Sequence, residues 1–221
     1  IILFYASIFS SDFNTETQNI LESLHQNDLW ILEKITEDSL YIYSKRIEGM
    51  DLLAFRADKK VIVDPMEIIN VISDVGNYEN FITNSGVLKT EELQQINGYL
   101  DAYQHITINL PFFSNRDYFF RMIANQNALY NNKLIEWYLL DLKDIEKNDL
   151  IRKDNNAIYL DYGAGMWLSK PINNQEFYIS YRLIMDLGGY IPDILVEKIN
   201  EIALVNLFKD VLKETLSRKM N

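Results

Sequence analysis

The C-terminal end of the chain places the strongest limit on how it can fold. From about Ile191 to Ser217 the residues Ile191, Leu195, Ile199, Ile202, Val205, Phe208, Leu212 and Leu216 recur at steps of three or four. That spacing predicts one long helix with a continuous apolar stripe. Asp193, Glu197, Glu201, Asp210 and Glu214 fall off the stripe. A helix draws most of its stability from packing an apolar face, so a stripe this long needs a large concave partner. A bent antiparallel sheet offers one.

The rest of the chain supplies such a sheet. Glu16 to Leu29 suits a short helix with Ile20, Leu21 and Leu24 on one side. Strand-like segments follow at Ser39 to Lys45 and Leu52 to Val63. Asp64-Pro65 then opens a second helix, with Asp64 as N-cap, Pro65 in the first helical position and Ile68, Ile69, Val71 and Ile72 as the buried face. A meander is predicted over Gly86 to Gln95, Tyr99 to Leu110, Tyr118 to Asn125, Leu134 to Leu142, Ala157 to Leu168 and Phe177 to Leu187. Turns at Asn97-Gly98, Asn131-Asn132, Lys147 to Asn156 and Pro171 to Asn174 make consecutive strands antiparallel neighbours.

Alternation along these strands separates two faces. Phe177, Ile179, Tyr181, Leu183 and Met185 share one face of the last strand. In Tyr99 to Leu110 one face is apolar, and the other carries Tyr99, Tyr103, His105 and Thr107. Faces that mix aromatic and polar groups suit contact with a partly apolar ligand, and ordinary core packing accounts for them as well.

Composition removes several function classes. The net charge is −11 and no basic stripe is present, which argues against nucleic acid, whose phosphates are met by clustered Lys and Arg. The same charge disfavours strong anchoring to anionic lipid, so any membrane contact is expected to be transient and hydrophobic. There is no Cys, which removes thiolate metal sites, disulfides and thiol nucleophiles. Ile1 to Ser10 reads either as the apolar core and small-residue end of a signal peptide or as a first strand packed on the domain, and the compartment stays open.

Catalytic constellations are scarce. His25 and His105 are far apart, with no metal-ligand spacing around either, and no nucleophile elbow or phosphate-cradling loop occurs. Neither a metal nor a cofactor is expected. Arg116-Asp117 reads as a structural ion pair at the start of a strand, and Glu136 and Asp161 as solvated carboxylates on sheet faces.

Four segments, in order, resemble the StAR-related lipid-transfer (START) domains of the helix-grip superfamily. They are Phe55-Arg56-Ala57 through Asp64-Pro65 to Asp74; Tyr78 to Phe81; Ser114-Asn115-Arg116-Asp117-Tyr118; and Asp186-Leu187-Gly188-Gly189-Tyr190-Ile191-Pro192. Phe81 stands where the family usually has Trp, and Leu187 replaces a Pro. The resemblance spans about Trp30 to Leu216 and implies an α+β helix-grip fold, a curved antiparallel sheet of seven to nine strands wrapped around the long C-terminal helix. Residues 15–221 would form the START-like domain and 1–14 an N-terminal extension or signal-peptide remnant.

By that resemblance a tunnel between sheet and helix holds one lipid or other apolar small molecule. Its expected lining is Tyr103, His105, Phe120, Met122, Trp137, Trp167, Tyr181, Met185, Leu195, Ile199 and Ile202. A gate is expected from Phe112 and Phe113 and from Gly188, Gly189 and Pro192. Some family members carry a cavity Arg five residues after the strand's opening Asp; here that position is Met122, with Arg121 on the opposite phase. The expected protein is a non-enzymatic, monomeric lipid carrier. A cyclase or aromatase of the same superfamily, or a ligand sensor acting on a protein partner, are the alternatives.

Overall fold

The computed structural model describes residues 15–82, 87–96, 98–108, 113–124, 133–147 and 150–220. Ten strands among them are β1 (Ile31–Ile35), β2 (Tyr41–Arg46), β3 (Leu53–Val61), β4 (Val87–Ile96), β5 (Tyr99–Thr107), β6 (Arg116–Ala124), β7 (Lys133–Leu139), β8 (Ile158–Tyr159), β9 (Gly163–Pro171) and β10 (Phe177–Met185). Five helices accompany them: α1 (Thr15–His25), α2 (Pro65–Ser73), α3 (Tyr78–Phe81), α4 (Leu142–Lys147) and α5 (Asp193–Met220). The strands form one sheet in the order β1-β2-β3-β10-β9-β7-β6-β5-β4, with β8 joined in parallel to β6 and every other pairing antiparallel.

Both faces of the sheet are covered. The inner face carries Phe55, Ala57, Leu100, Ala102, Phe120, Met122, Trp137, Trp167 and Tyr181, and it packs with α2, α3 and α5 into the larger core. The outer face packs Tyr103, Phe119, Tyr138, Met166 and Ile184 with α1 residues Ile20, Leu21 and Leu24 into a second core. Arg182 closes that layer. Its buried guanidinium donates to the carbonyls of Leu24, His25 and Gln26 at 2.6, 3.0 and 3.1 Å, capping the open carbonyls at the end of α1. The Asp64 N-cap is present, its carboxylate accepting from the Met66 amide at 2.9 Å.

Three elements differ from the sequence expectation. β1 was not anticipated, because all five of its residues are exposed and no face of it is marked by burial. Ala157 to Leu168 is two strands rather than one: β8 follows β6 in parallel, the chain turns, and β9 begins at Gly163. Leu142–Lys147 is helical where a strand end and a polar turn were expected.

The stripe of α5 is also corrected. Its buried positions are Val196, Asn200, Leu204, Phe208, Val211, Leu212 and Thr215, with Asp210 buried as well, so Phe208 and Leu212 of the expected stripe are buried. Leu195, Ile199, Ile202 and Leu216 are 47, 41, 48 and 47% exposed. The first half of the helix is apolar on more than one side, so two stripes fit the sequence and packing selects the one rotated by about a residue.

Candidate ligand-binding cavity

A cavity of about 230 Å³ lies between the concave inner face of the sheet and α5. β10 places Tyr181, Leu183 and Met185 on it at alternate positions, and β6 does the same with Tyr118, Phe120 and Met122. α5 contributes Ile199, Asn200, Ala203, Asn206, Leu207 and Val211, while Ile72, Tyr78 and Ile82 close the side toward α2 and α3. None of the described lining residues is Asp, Glu, Lys, Arg or His.

Two tryptophans shape the space. Trp167 stacks on Tyr181 with ring centroids 4.3 Å apart and on Phe208 of α5 at 5.4 Å, so one indole joins sheet to helix. Trp137 lies directly over Gly165, its register partner on β9. A Cβ on Gly165 would stand 2.6 Å from the Trp137 ring and 2.7 Å from the Arg182 carbonyl oxygen, so only glycine admits the indole here. Gly165→Ala is therefore expected to push Trp137 into the cavity and to cost about 1–3 kcal/mol, as overpacking does. Denaturant unfolding and the Trp emission spectrum check this; an unchanged spectrum with unchanged stability would contradict it.

Of the residues proposed from sequence, Phe120, Met122, Trp137, Trp167, Tyr181, Met185 and Ile199 meet at this cavity. Four others do not. Tyr103 and His105 stand on the outer face, because the ligand side of β5 is its apolar side, Leu100, Ala102, Gln104 and Ile106. Tyr103 donates to Asp117 at 3.0 Å, and His105 Nε2 lies 3.1 Å from Asp154. Leu195 and Ile202 follow the exposed side of α5. Sequence reasoning missed Gln104, Tyr118, Asn200 and Asn206, all polar members of the wall. Gln104 was findable by parity, since it alternates with Ala102 and Ile106; the two asparagines needed the true rotation of α5.

Burial raises the phenols of Tyr78, Tyr118 and Tyr181 above their usual range, so all three are neutral donors. Most polar wall groups are already engaged. Tyr78 donates to the Ile72 carbonyl, Asn200 Nδ2 to the Met185 carbonyl at 2.7 Å, and the Tyr118 hydroxyl to Gln104 Oε1. Met122 faces the cavity, whereas Arg121 faces outward, paired with Asp101 at 2.7 Å.

At one end of α5 the chain makes a sharp passage. Gly188 and Gly189 have φ of +61° and +74°, the left-handed region, with the Ile158 side chain 2.9 Å from where either Cβ would stand. Pro192 follows, its carbonyl accepting from Leu195 and Val196 to begin the helix. Arg116 is not paired with Asp117, as the sequence suggested. It donates to the carbonyls of Ser114, Leu187 and, at 3.4 Å, Gly188. Asp117 pairs instead with Arg152 at 2.8 Å. Arg116 thus ties the loop before β6 to the passage before α5. Phe113 in that loop is 40% exposed; Phe112 lies outside the described residues. Among the described residues no cluster of metal-ligating side chains occurs, and no helix is long and apolar enough to cross a membrane.

A curved sheet gripping a long C-terminal helix is the helix-grip architecture, and the chain shares this fold with solved StAR-related lipid transfer proteins. The STAR-related lipid transfer protein of Xanthomonas axonopodis superimposes with TM-score 0.68 at 18% identity, covering 85% of this chain and 99% of that one. Human StAR-related lipid transfer protein 5 gives TM-score 0.70 at 10% identity, over 92% and 94% of the two chains. The Zhui aromatase/cyclase of a Streptomyces species gives 0.51 at 13%, over 75% and 94%. The sequence itself matches no protein-family model and no curated protein.

Proposed function

We propose that residues 15–221 form one lipid-binding unit that holds a single apolar molecule in this cavity and carries it between membranes as a monomer, without altering it. The observation that carries this reading is a wall of mainly aromatic and aliphatic side chains with no described charged group, set under a helix that the chain enters through a glycine pair. Water gains little in such a space and an apolar ligand gains much. At about 230 Å³ the cavity exceeds the ~150 Å³ that accommodates benzene in a buried apolar void and falls short of the ~300 Å³ typical of drug-sized sites. As it stands it takes one chain or a small ring system. A larger lipid requires α5 to swing about Gly188-Gly189, which is also the route for exchange.

Membrane contact fits the surface at the same end. Tyr190 is fully exposed, and Ile194, Leu195, Ile199 and Ile202 continue an apolar strip along α5. The net charge of −11 makes that contact hydrophobic and brief. The aromatase/cyclase likeness supports a second reading as an enzyme, but the described wall offers no carboxylate, His or Lys for acid/base work. Native mass spectrometry with solvent extraction of the purified protein, together with transfer of labelled lipids between vesicles, tests the proposal. Recovery of a lipid and its transfer unchanged are expected. No extracted lipid and no transfer of any lipid class would refute it.

A further inference from the structure

The geometry points to a ligand whose polar end is a single uncharged hydroxyl, received by the Tyr118–Gln104 pair on the sheet with Asn206 of α5 on the helix side of the same cavity. This rests on the ligand-binding reading above and narrows it to apolar alcohols.

The argument begins with what the wall cannot hold. A carboxylate, phosphate or ammonium moved into this space would leave water and find no opposite charge among the described lining residues, and a buried charge without a partner is strongly disfavoured. Met122 lines the cavity on β6, and the neighbouring Arg121 faces outward and is engaged by Asp101.

What the wall does offer is uncommitted hydrogen-bonding capacity in one pattern. Gln104 and Tyr118 are register partners on β5 and β6. Tyr118 gives its only proton to Gln104 Oε1, and Gln104 Nε2 is fixed by donating to Thr90 Oγ1 at 3.2 Å. Beside the second Gln104 Nε2 hydrogen, the pair therefore presents two acceptors: the phenol oxygen and the second lone pair of the Gln104 carbonyl. A ligand that donates satisfies them. Ketones, esters and carboxylates have no proton to give.

Asn206 supplies the complement. Its amide reaches the cavity wall from α5 and has no hydrogen-bond partner in the described structure, in contrast to Asn200. It can donate to an oxygen. A hydroxyl is at once donor and acceptor, so it answers the sheet pair with its proton and Asn206 with its lone pairs. A hydrocarbon would leave both unanswered, which is the condition under which a site built for a hydroxyl rejects the analogue lacking it.

Chain alcohols and ring alcohols share this chemistry, and the test separates them. Quenching of Trp137 and Trp167 emission reports occupancy for decan-1-ol, decane, decanoate and decylammonium, and for menthol against p-menthane. Decan-1-ol, menthol or both are expected to bind at least about tenfold tighter than the matched hydrocarbon and the charged decyl compounds. Tyr118→Phe keeps the ring, removes the phenol oxygen and should abolish the preference for alcohol over hydrocarbon. Gln104→Leu and Asn206→Leu should each reduce it severalfold, with melting temperatures reporting that each variant is folded. Equal binding of alcohol and hydrocarbon, decanoate binding as tightly as decanol, or a preference that survives Tyr118→Phe and Gln104→Leu would each overturn the inference while leaving an apolar binding site. Absence of binding by every compound, hydrocarbons included, would instead overturn the binding function itself.

Discussion

Replacing Asp101 with Leu is expected to lower the free energy of unfolding by about 3–5 kcal/mol, the cost of stranding a buried charge. Asp101 is 0% exposed and sits opposite Arg121 across the β5–β6 ladder. The guanidinium reaches both carboxylate oxygens, at 2.7 and 2.8 Å, and Gln94 Nε2 donates to the second at 2.8 Å. Arg121 also lies 4.1 Å over the Tyr99 ring, and its hydrogen bonds to Asp101 hold its proton more tightly than usual. Without Asp101 the cation, itself only 8% exposed, loses the carboxylate that pairs with it. The double variant Asp101→Leu/Arg121→Met should recover most of the loss, because an apolar pair of similar volume avoids the desolvation altogether. Urea unfolding of the single and double variants measures both. A single-variant loss under about 1 kcal/mol, the range of exposed pairs, would mean that the site is solvated. The folded fraction of either variant should bind the same ligands, since the pair stands on the face away from the cavity.

That outward Arg121 also shows where sequence reasoning reached and where it stopped. On β6 the family resemblance marked the position of Met122 as inward, and parity then placed Arg121 outward, because successive residues of a strand alternate between its faces. Parity along β10 likewise placed Tyr181 and Met185. On β5 the parity was right and the choice of face was not. Both faces of this sheet are buried, so Tyr103 and His105 looked like cavity groups when they belong to the layer under α1 and around Asp117 and Asp154. α5 was legible in position and length, but its rotation was not, since Leu195, Ile199 and Ile202 match a helical period as well as Val196, Asn200 and Leu204 do. Arg116 was singled out by its neighbour Asp117, while its partners, the carbonyls of Leu187 and Gly188, lie far along the chain. Backbone carbonyls carry no sequence signal, so no local motif could have revealed that link.

The other large effect belongs to the joint between sheet and helix. Trp167 is 1% exposed and lies stacked against Tyr181 of β10 on one contact and Phe208 of α5 on the other, with interplanar angles of 16° and 20°. Trp167→Ala removes the indole, leaves a void continuous with the existing cavity, and is expected to cost about 3–5 kcal/mol, as other buried Trp or Phe truncations do. For a domain of this size that corresponds to a fall in melting temperature of roughly 6–20 °C. The void is apolar, so it should stay dry and accept a molecule of the lost shape. Indole at about a hundredfold excess over its dissociation constant should return roughly 2.7 kcal/mol to the variant. It should raise the variant's melting temperature more than the parent's, whose own indole already fills that place. The same substitution frees α5 from its main aromatic contact with the sheet, so a bound apolar dye should leave the variant faster, and added indole should slow it again. If Trp167→Ala melts within about a degree of the parent and ignores indole, α5 is held by its contacts with α2 and β3 instead, and exchange is governed there.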